Sequence, residues 1–291
     1  MTLAIDIGGT KIAAANVIDG VCHDRRQQPM PATEAEFLAT IATLAAGRPA
    51  PARAALAVTG YTDGQRVRGV NRHTITYWND YPLVERVGAL LGCPVLAIND
   101  AQAAAWGEYT LRGSECRNLL YLTLSTGVGG GLVLDGQLRV GALGLAGHIG
   151  HNAVGVEPAD APVTCGCGRI GCLETVASGT ALARQARSSF GRPVSAAELF
   201  DLAAQGDSGA LSLLRRAALA VASAIANAHL QLDLQQVVLG GSVGLAKGMH
   251  EAIANALAEL PPLYRVPIDI ARLGADAGLV GASAWADRAT S

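Results

Sequence analysis

Cys165, Cys167 and Cys172 fall within eight positions, with Gly166, Gly168 and Gly171 between them and His151 upstream. Three thiolates and one imidazole make the closed tetrahedral shell of a structural zinc site. The glycines let the backbone turn tightly enough for the sulfurs to converge. A closed shell leaves no position for water, so zinc held by His151, Cys165, Cys167 and Cys172 shapes its surroundings and does no chemistry itself. A disulfide with a spare thiol is the competing reading; it is disfavoured because neighbours in Cys-x-Cys bridge poorly. Cys22, Cys93 and Cys116 are scattered and read as buried thiols.

Three glycine turns carry a second chemistry. Asp6-Ile7-Gly8-Gly9-Thr10-Lys11 places a carboxylate at a strand end, then glycines, a hydroxyl and an ammonium. Glycine amides approach phosphate oxygens without a Cβ clash, and Asp6 can orient Mg²⁺, which prefers oxygen ligands. An ordinary hairpin turn explains this segment equally well, and it is not a Walker loop, which needs a different glycine–lysine spacing before a helix. Ser125-Thr126-Gly127-Val128-Gly129-Gly130-Gly131 supplies a second turn of the same kind, and Gly240-Gly241-Ser242 a third at a helix start. Three such turns at strand ends favour a nucleotide cleft between two lobes.

Single residues complete the set. Asp100 follows a strand and begins a helix, where it either caps that helix or takes a proton from a hydroxyl attacking phosphorus. Glu174 lies two residues after Cys172, on a loop that the metal would hold rigid, or is a solvated carboxylate. His148 stands three before His151 as a helix-face neighbour or spare ligand, and Asn71 reads as a turn residue or a sugar-hydroxyl partner.

The elements that position these residues alternate between strand and helix. Thr2–Ile7, Lys11–Ile18, Ala54–Thr59 and Pro94–Ile98 read as strands, with helices at Thr33–Ala46 and Leu83–Leu91 and an alanine-rich helix after Asp100. Strand, Gly/Thr turn, strand and Asp-Gly occur at Thr2–Gly20 and again at Leu119–Gly136, which suggests duplication. The second half continues with helices near Gly179–Ser189 and Ser208–Leu230, strands at Val237–Leu239 and Ile268–Ile270, and a terminal helix near Asp276–Asp287. This pattern predicts an α/β chain divided near Leu111–Arg117, where Gly113-Ser114 interrupts it.

Composition excludes several classes. Of 291 residues half are hydrophobic but only 4% aromatic, and the net charge is −2 without a basic block, so the footprint of a nucleic-acid binder is missing. No run reaches the roughly 18 unbroken apolar residues of a membrane span, and the first residues lack a secretory n-region. A cytoplasmic protein with no nucleic-acid or membrane partner is expected.

Taken together, Asp6–Lys11, Asn99-Asp100, Ser125–Gly131, the Cys165–Glu174 signature and Gly240-Gly241 resemble the ROK family of sugar kinases and repressors, over nearly the whole chain. The resemblance implies a duplicated, two-lobed actin-like (ribonuclease H-like) ATPase fold. Residues 1–115 would form one lobe and 116–291 the other, the terminal helix packing back on the first. It implies ATP and Mg²⁺ bound between the lobes, a hexose beside a zinc loop, and a homodimer. By that resemblance Asp100 is the general base on the sugar 6-hydroxyl. Asn71, Asn99, His148, His151 and Glu174 line or hold the sugar pocket. Ile5, Asp6, Ile7, Gly8, Gly9, Thr10 and Lys11, then Thr126, Gly127, Val128, Gly129, Gly130, Gly131, Leu132 and Val133, with Gly240 and Gly241, hold the nucleotide. Family hexokinases usually carry Glu-x-Gly-His, whereas this chain has His148-Ile149-Gly150-His151. That exchange, with Gly144–Gly147 and Asn99–Trp106 on either side, resembles members acting on N-acetylmannosamine. ATP-dependent 6-phosphorylation of that amino sugar is expected, with glucose or N-acetylglucosamine as alternatives and a non-catalytic sugar sensor as the alternative of another class. A repressor would need a DNA-binding segment before a strand that already begins at residue 2.

Overall fold

The computed structural model describes residues 1–71, 75–113 and 115–288; Ser114, in the expected boundary turn, lies outside them. The chain opens with β1 (Thr2–Ile7), β2 (Lys11–Ile18) and β3 (Val21–Pro29), an antiparallel meander. Asp19 and Gly20, at φ 50° and 76°, make the tight hairpin between β2 and β3, the turn for which Asp-Gly is suited because both positions need positive φ. Then come α1 (Glu34–Ala45), β4 (Arg53–Val58), the small pair β5 (Tyr61–Thr62) and β6 (Val67–Arg68), α2 (Leu83–Leu91), β7 (Val95–Asn99) and α3 (Asp100–Arg112). The first sheet runs β3-β2-β1-β4-β7, with β1, β4 and β7 parallel.

The second half repeats the plan. β8 (Leu119–Leu124), β9 (Val128–Leu134) and β10 (Gln137–Arg139) form another meander, and its Asp135-Gly136 turn again has positive φ, 57° and 74°. After the cysteine loop come α4 (Glu174–Ala177), α5 (Gly179–Phe190), α6 (Ala196–Ala204), α7 (Ser208–Leu232), β11 (Gln236–Gly240), α8 (Gly241–Gly244), α9 (Met249–Ala258), β12 (Ile268–Ile270) and α10 (Ala277–Arg288). The second sheet runs β10-β9-β8-β11-β12, the same order as the first, with β8, β11 and β12 parallel. This shared order is a stronger sign of duplication than the repeated turns alone.

Each sheet has an outer core. Leu3, Ile5, Phe37 and Ile41 belong to the first, and Leu122, Val221, Ile225 and Leu239 to the second. By length and composition α7 could cross a membrane, but its Leu213, Val221 and Ile225 are buried in that second core. Between the sheets lie α3 and α10, which pack on each other; α3 also meets β8 and β9, and α10 meets β1 and β4. Their shared core joins Ala55 and Ile98 of one sheet to Leu119 and Val238 of the other. Small residues make that joint. Gly131 sits inside β9 where a Cβ would come within 2.6 Å of the Ala105 methyl, so glycine there admits α3 against the strand.

Candidate active site

A cleft of about 670 Å³ opens between the two sheets at the carboxyl ends of their parallel strands, the edge where α/β sheets place ligands. β1 delivers Asp6 to this edge and β7 delivers Asn99 and Asp100, because β1, β4 and β7 run parallel and in register. Both carboxylates line the cleft, each with only part of its surface open. Burial raises Asp6 to about 6, with Lys11 and Arg25 pulling the other way. Burial, and then the charge of Asp6, raises Asp100 to about 7, against hydrogen bonds from the Ala101 amide and Asn99.

The capping expectation moves by one residue. Asn99, not Asp100, is the N-cap of α3: it keeps extended backbone, and its Oδ1 accepts from the amides of Ala101 and Gln102 at 3.0 Å each. Its Nδ2 donates to the Gly60 carbonyl at 2.7 Å and to Asp100 Oδ1 at 2.9 Å. Asn99 is 5% exposed and its amide is fully engaged, so it orients Asp100 and has little left for a sugar. Asp100 is thereby released from capping.

Across the cleft, His151 Nδ1 lies 3.4 Å from Cys165 Sγ, and Cys167 Sγ lies 3.6 Å from Cys172 Sγ. One ligand atom from each of these four residues lies within 4.8 Å of all the others. A tetrahedron with metal–sulfur bonds of about 2.3 Å has edges of about 3.8 Å, so the donor set fits such a shell. Glu174 begins α4 beside it. Its Oε2 accepts from the Val128 amide at 3.0 Å, and Oε1 is 3.8 Å from Cys165 Sγ. This carboxylate therefore ties the cysteine loop to the 125–128 turn.

His148 lines the cleft, and among the described residues its buried ring Nδ1 has no hydrogen-bond partner. Burial, with His151 nearby, lowers its pKa against the pull of the Gly60 and Leu145 carbonyls, which favours the neutral ring. Asn71, on the opposite lobe, meets the cysteine loop at Gly166, where a Cβ would come 2.7 Å from the Asn71 Cβ and 2.8 Å from its Cγ. Gly166→Ala is expected to push Asn71 aside and raise the sugar KM by about tenfold, with a smaller change in kcat. Steady-state kinetics with saturating nucleotide checks this.

The structure brings most of the expected residues together. Asp6, Gly8, Gly9, Thr10, Lys11, Asn71, Asn99, Asp100, Thr126–Gly130, His148, His151, Cys165, Glu174 and Gly241 all line the cleft. Ile5 and Ile7 point into the first sheet's core. Gly131, Leu132 and Val133 lie further along β9, beyond the part of that strand that lines the cleft, which ends at Gly130. Gly240 lies against Tyr121, outside the cleft lining. Cys167 and Cys172 belong to the four-residue cluster but not to the cleft lining. Ser178, Thr180 and Arg184 at the start of α5, and Gly278 of α10, line the cleft without having been anticipated. Ser178-Gly179-Thr180 is a small polar run of the kind found at anion-facing turns, but nothing local marks Arg184 or Gly278.

The comparisons with known proteins agree with this geometry. The profile of the ROK family matches residues 2–289. An N-acetylmannosamine kinase of Yersinia pseudotuberculosis is 44% identical, covering 98% of this chain and 97% of its own. Among solved structures, the ROK hexokinase of Thermus thermophilus superposes with a TM-score of 0.83 at 36% identity, covering 100% and 99% of the two chains. A ROK glucokinase of Streptomyces griseus, in complex with glucose and AMPPNP, gives 0.82 at 30%, covering 99% of each. With the repeated sheets, the interlobe helices and the cleft between them, this is the two-lobed actin-like ATPase fold, and the chain belongs to the ROK family.

Proposed function

We propose that this chain is an N-acetylmannosamine kinase, transferring the γ-phosphoryl group of Mg·ATP to the sugar 6-hydroxyl in amino-sugar (sialic acid) breakdown. The observation that carries the sugar assignment is His148. It lines the cleft, in the run where by sequence resemblance the family's hexokinases carry Glu-x-Gly-His, and among the described residues its buried ring Nδ1 has no hydrogen-bond partner. A neutral imidazole offers one acceptor nitrogen and one N–H donor where a carboxylate offers only acceptor oxygens, which removes an acceptor for glucose hydroxyls. Identity to the Yersinia kinase over nearly the full length supports the same reading. The likeness to a hexokinase and a glucokinase makes glucose the competing substrate.

In this reading Asp100 accepts the 6-hydroxyl proton as that oxygen approaches phosphorus. Asn99 fixes its carboxylate, and burial makes it a stronger base than a surface aspartate. Asn71 and Glu174 hold the sugar from opposite lobes, and Glu174 couples that grip to the 125–128 turn on the phosphate side. The turns at Gly8–Lys11, Thr126–Gly130 and Gly241 would hold ATP, and Asp6 would hold Mg²⁺, which neutralises phosphate charge when bound. Zn²⁺ would be held by His151, Cys165, Cys167 and Cys172 as a structural ion. We place the division between lobes near residue 115, the protein in the cytoplasm, and its assembly as a homodimer.

The test is kcat/KM for N-acetylmannosamine, N-acetylglucosamine and glucose in wild type and His148→Glu. One buried hydrogen-bond partner is worth about 1–3 kcal/mol, so wild type should favour N-acetylmannosamine over glucose by roughly tenfold to a hundredfold from this position. The variant should narrow that gap. A wild type that prefers glucose overturns the substrate; an unchanged preference in the variant overturns the role of His148 alone.

A further inference from the structure

The far end of α3 carries a buried charge pair that the chemistry above does not use. Glu108 is fully buried, and it pairs with Arg112, whose side chain is 6% exposed. Replacing such a buried pair by apolar residues is often neutral or stabilising, so stability alone is a weak reason for it. Its remaining bonds run to one segment, the stretch that leaves β12 and enters α10. Glu108 Oε1 accepts from the amides of Arg272 and Leu273, both at 2.8 Å. Arg112 Nη2 donates to the Ile270 carbonyl at 2.7 Å and to Asp269 Oδ2 at 3.3 Å.

That segment then crosses from one lobe to the other and becomes a wall of the cleft through Gly274, Ala275, Ala277 and Gly278. Gly278 lies directly on Asp6, where a Cβ would come 2.8 Å from its Oδ2. Arg25 of β3 holds the crossing from the other side through Asp276 at 2.8 Å. Meanwhile α3 begins at Asp100 and touches α10 backbone to backbone, a Cβ at Gly107 falling 3.1 Å from the Gly281 Cα. One helix therefore presents Asp100 at its first residue and grips, two turns later, the segment that backs Asp6.

We propose that Glu108 is a positioning residue. Braced by Arg112, it registers the 269–278 crossing on α3 and so sets Asp6 and its glycine wall against Asp100 as the lobes close. This rests on the kinase reading. The test compares wild type with two double variants. Glu108→Met with Arg112→Met removes the pair without leaving an orphan charge. Glu108→Gln with Arg112→Met keeps an oxygen for the Arg272 and Leu273 amides.

The first variant should stay folded, lose about tenfold or more in kcat, and change the sugar KM by less than about threefold. It should also contract less than wild type in small-angle scattering when sugar and a non-hydrolysable ATP analogue are added. The second variant should recover most of the lost kcat and contraction. Wild-type kcat and contraction in the first variant would leave Glu108 merely structural and overturn the proposal, as would failure of the second to recover either if both variants fold. If wild type phosphorylates none of the three sugars, the kinase reading falls. The scattering comparison, with the ATP analogue alone, then still decides for or against Glu108.

Discussion

Asp100→Asn is expected to lower turnover by roughly 10²–10⁴-fold while leaving nucleotide binding intact. The substitution keeps shape and hydrogen bonding but removes the base, and since Asn99 caps α3, the helix start survives. Near wild-type turnover in the variant would show that phosphoryl transfer here needs no proton acceptor at this position. The raised pKa fixes the pH behaviour too. Asp100 becomes ionised only as pH climbs through about 7, so kcat/KM should rise across neutrality and flatten above it, and this limb should vanish in the variant. Stability runs the opposite way. The folded chain holds this proton more tightly than the unfolded chain, so stability falls as pH rises from the ordinary carboxylate range to about 7, and the loss is complete above that. Removing the charge should raise Tm at pH 8 and hardly change it at pH 4. Thermal melts at the two pH values check it, and equal shifts at both would mean that the carboxylate carries no burial penalty.

Much of this site was legible because its residues announce themselves locally. A strand end before a glycine turn marked Asp6, a strand-to-helix boundary marked Asp100, and cysteine spacing predicted the four-ligand cluster. Where local signals ran out, the reading stopped short. β3 carries exposed or half-buried residues along its whole length, since an edge strand facing solvent need not alternate, and only the Asp19-Gly20 turn hinted at it. Asn99 and Asp100 are both good caps, and choosing between them takes the backbone angles. Gly131 resembles the glycines of a phosphate turn, but it is there to admit α3; a sequence does not distinguish the two uses. Gly278 on Asp6, and Glu108 on Arg272, join residues far apart in the chain, and no spacing encodes contacts made by the crossing of two lobes.

Cys167→Ser is expected to abolish metal binding and with it the order of the loop that carries Glu174. Three thiolates and an imidazole holding zinc contribute on the order of 10 kcal/mol of binding free energy, far more than the few hydrogen bonds that otherwise close the 165–172 turn, such as Cys165 N to Arg169 O at 2.7 Å. Without the ion, the buried Cys165 and Cys172 thiols keep only weak polar contacts, such as Cys172 Sγ to the His151 carbonyl at 3.5 Å. Loosening this loop releases Gly166 from Asn71 and Glu174 from the Val128 amide, so both lobes lose part of their hold on the sugar. The sugar KM should therefore rise by more than the nucleotide KM, and Tm should fall. Metal analysis of the purified wild type should find close to one zinc per chain and far less in the variant. A fully active wild type with less than about half an equivalent would mean that the four residues hold their geometry without an ion, and the structural role assigned to the metal would fall with it.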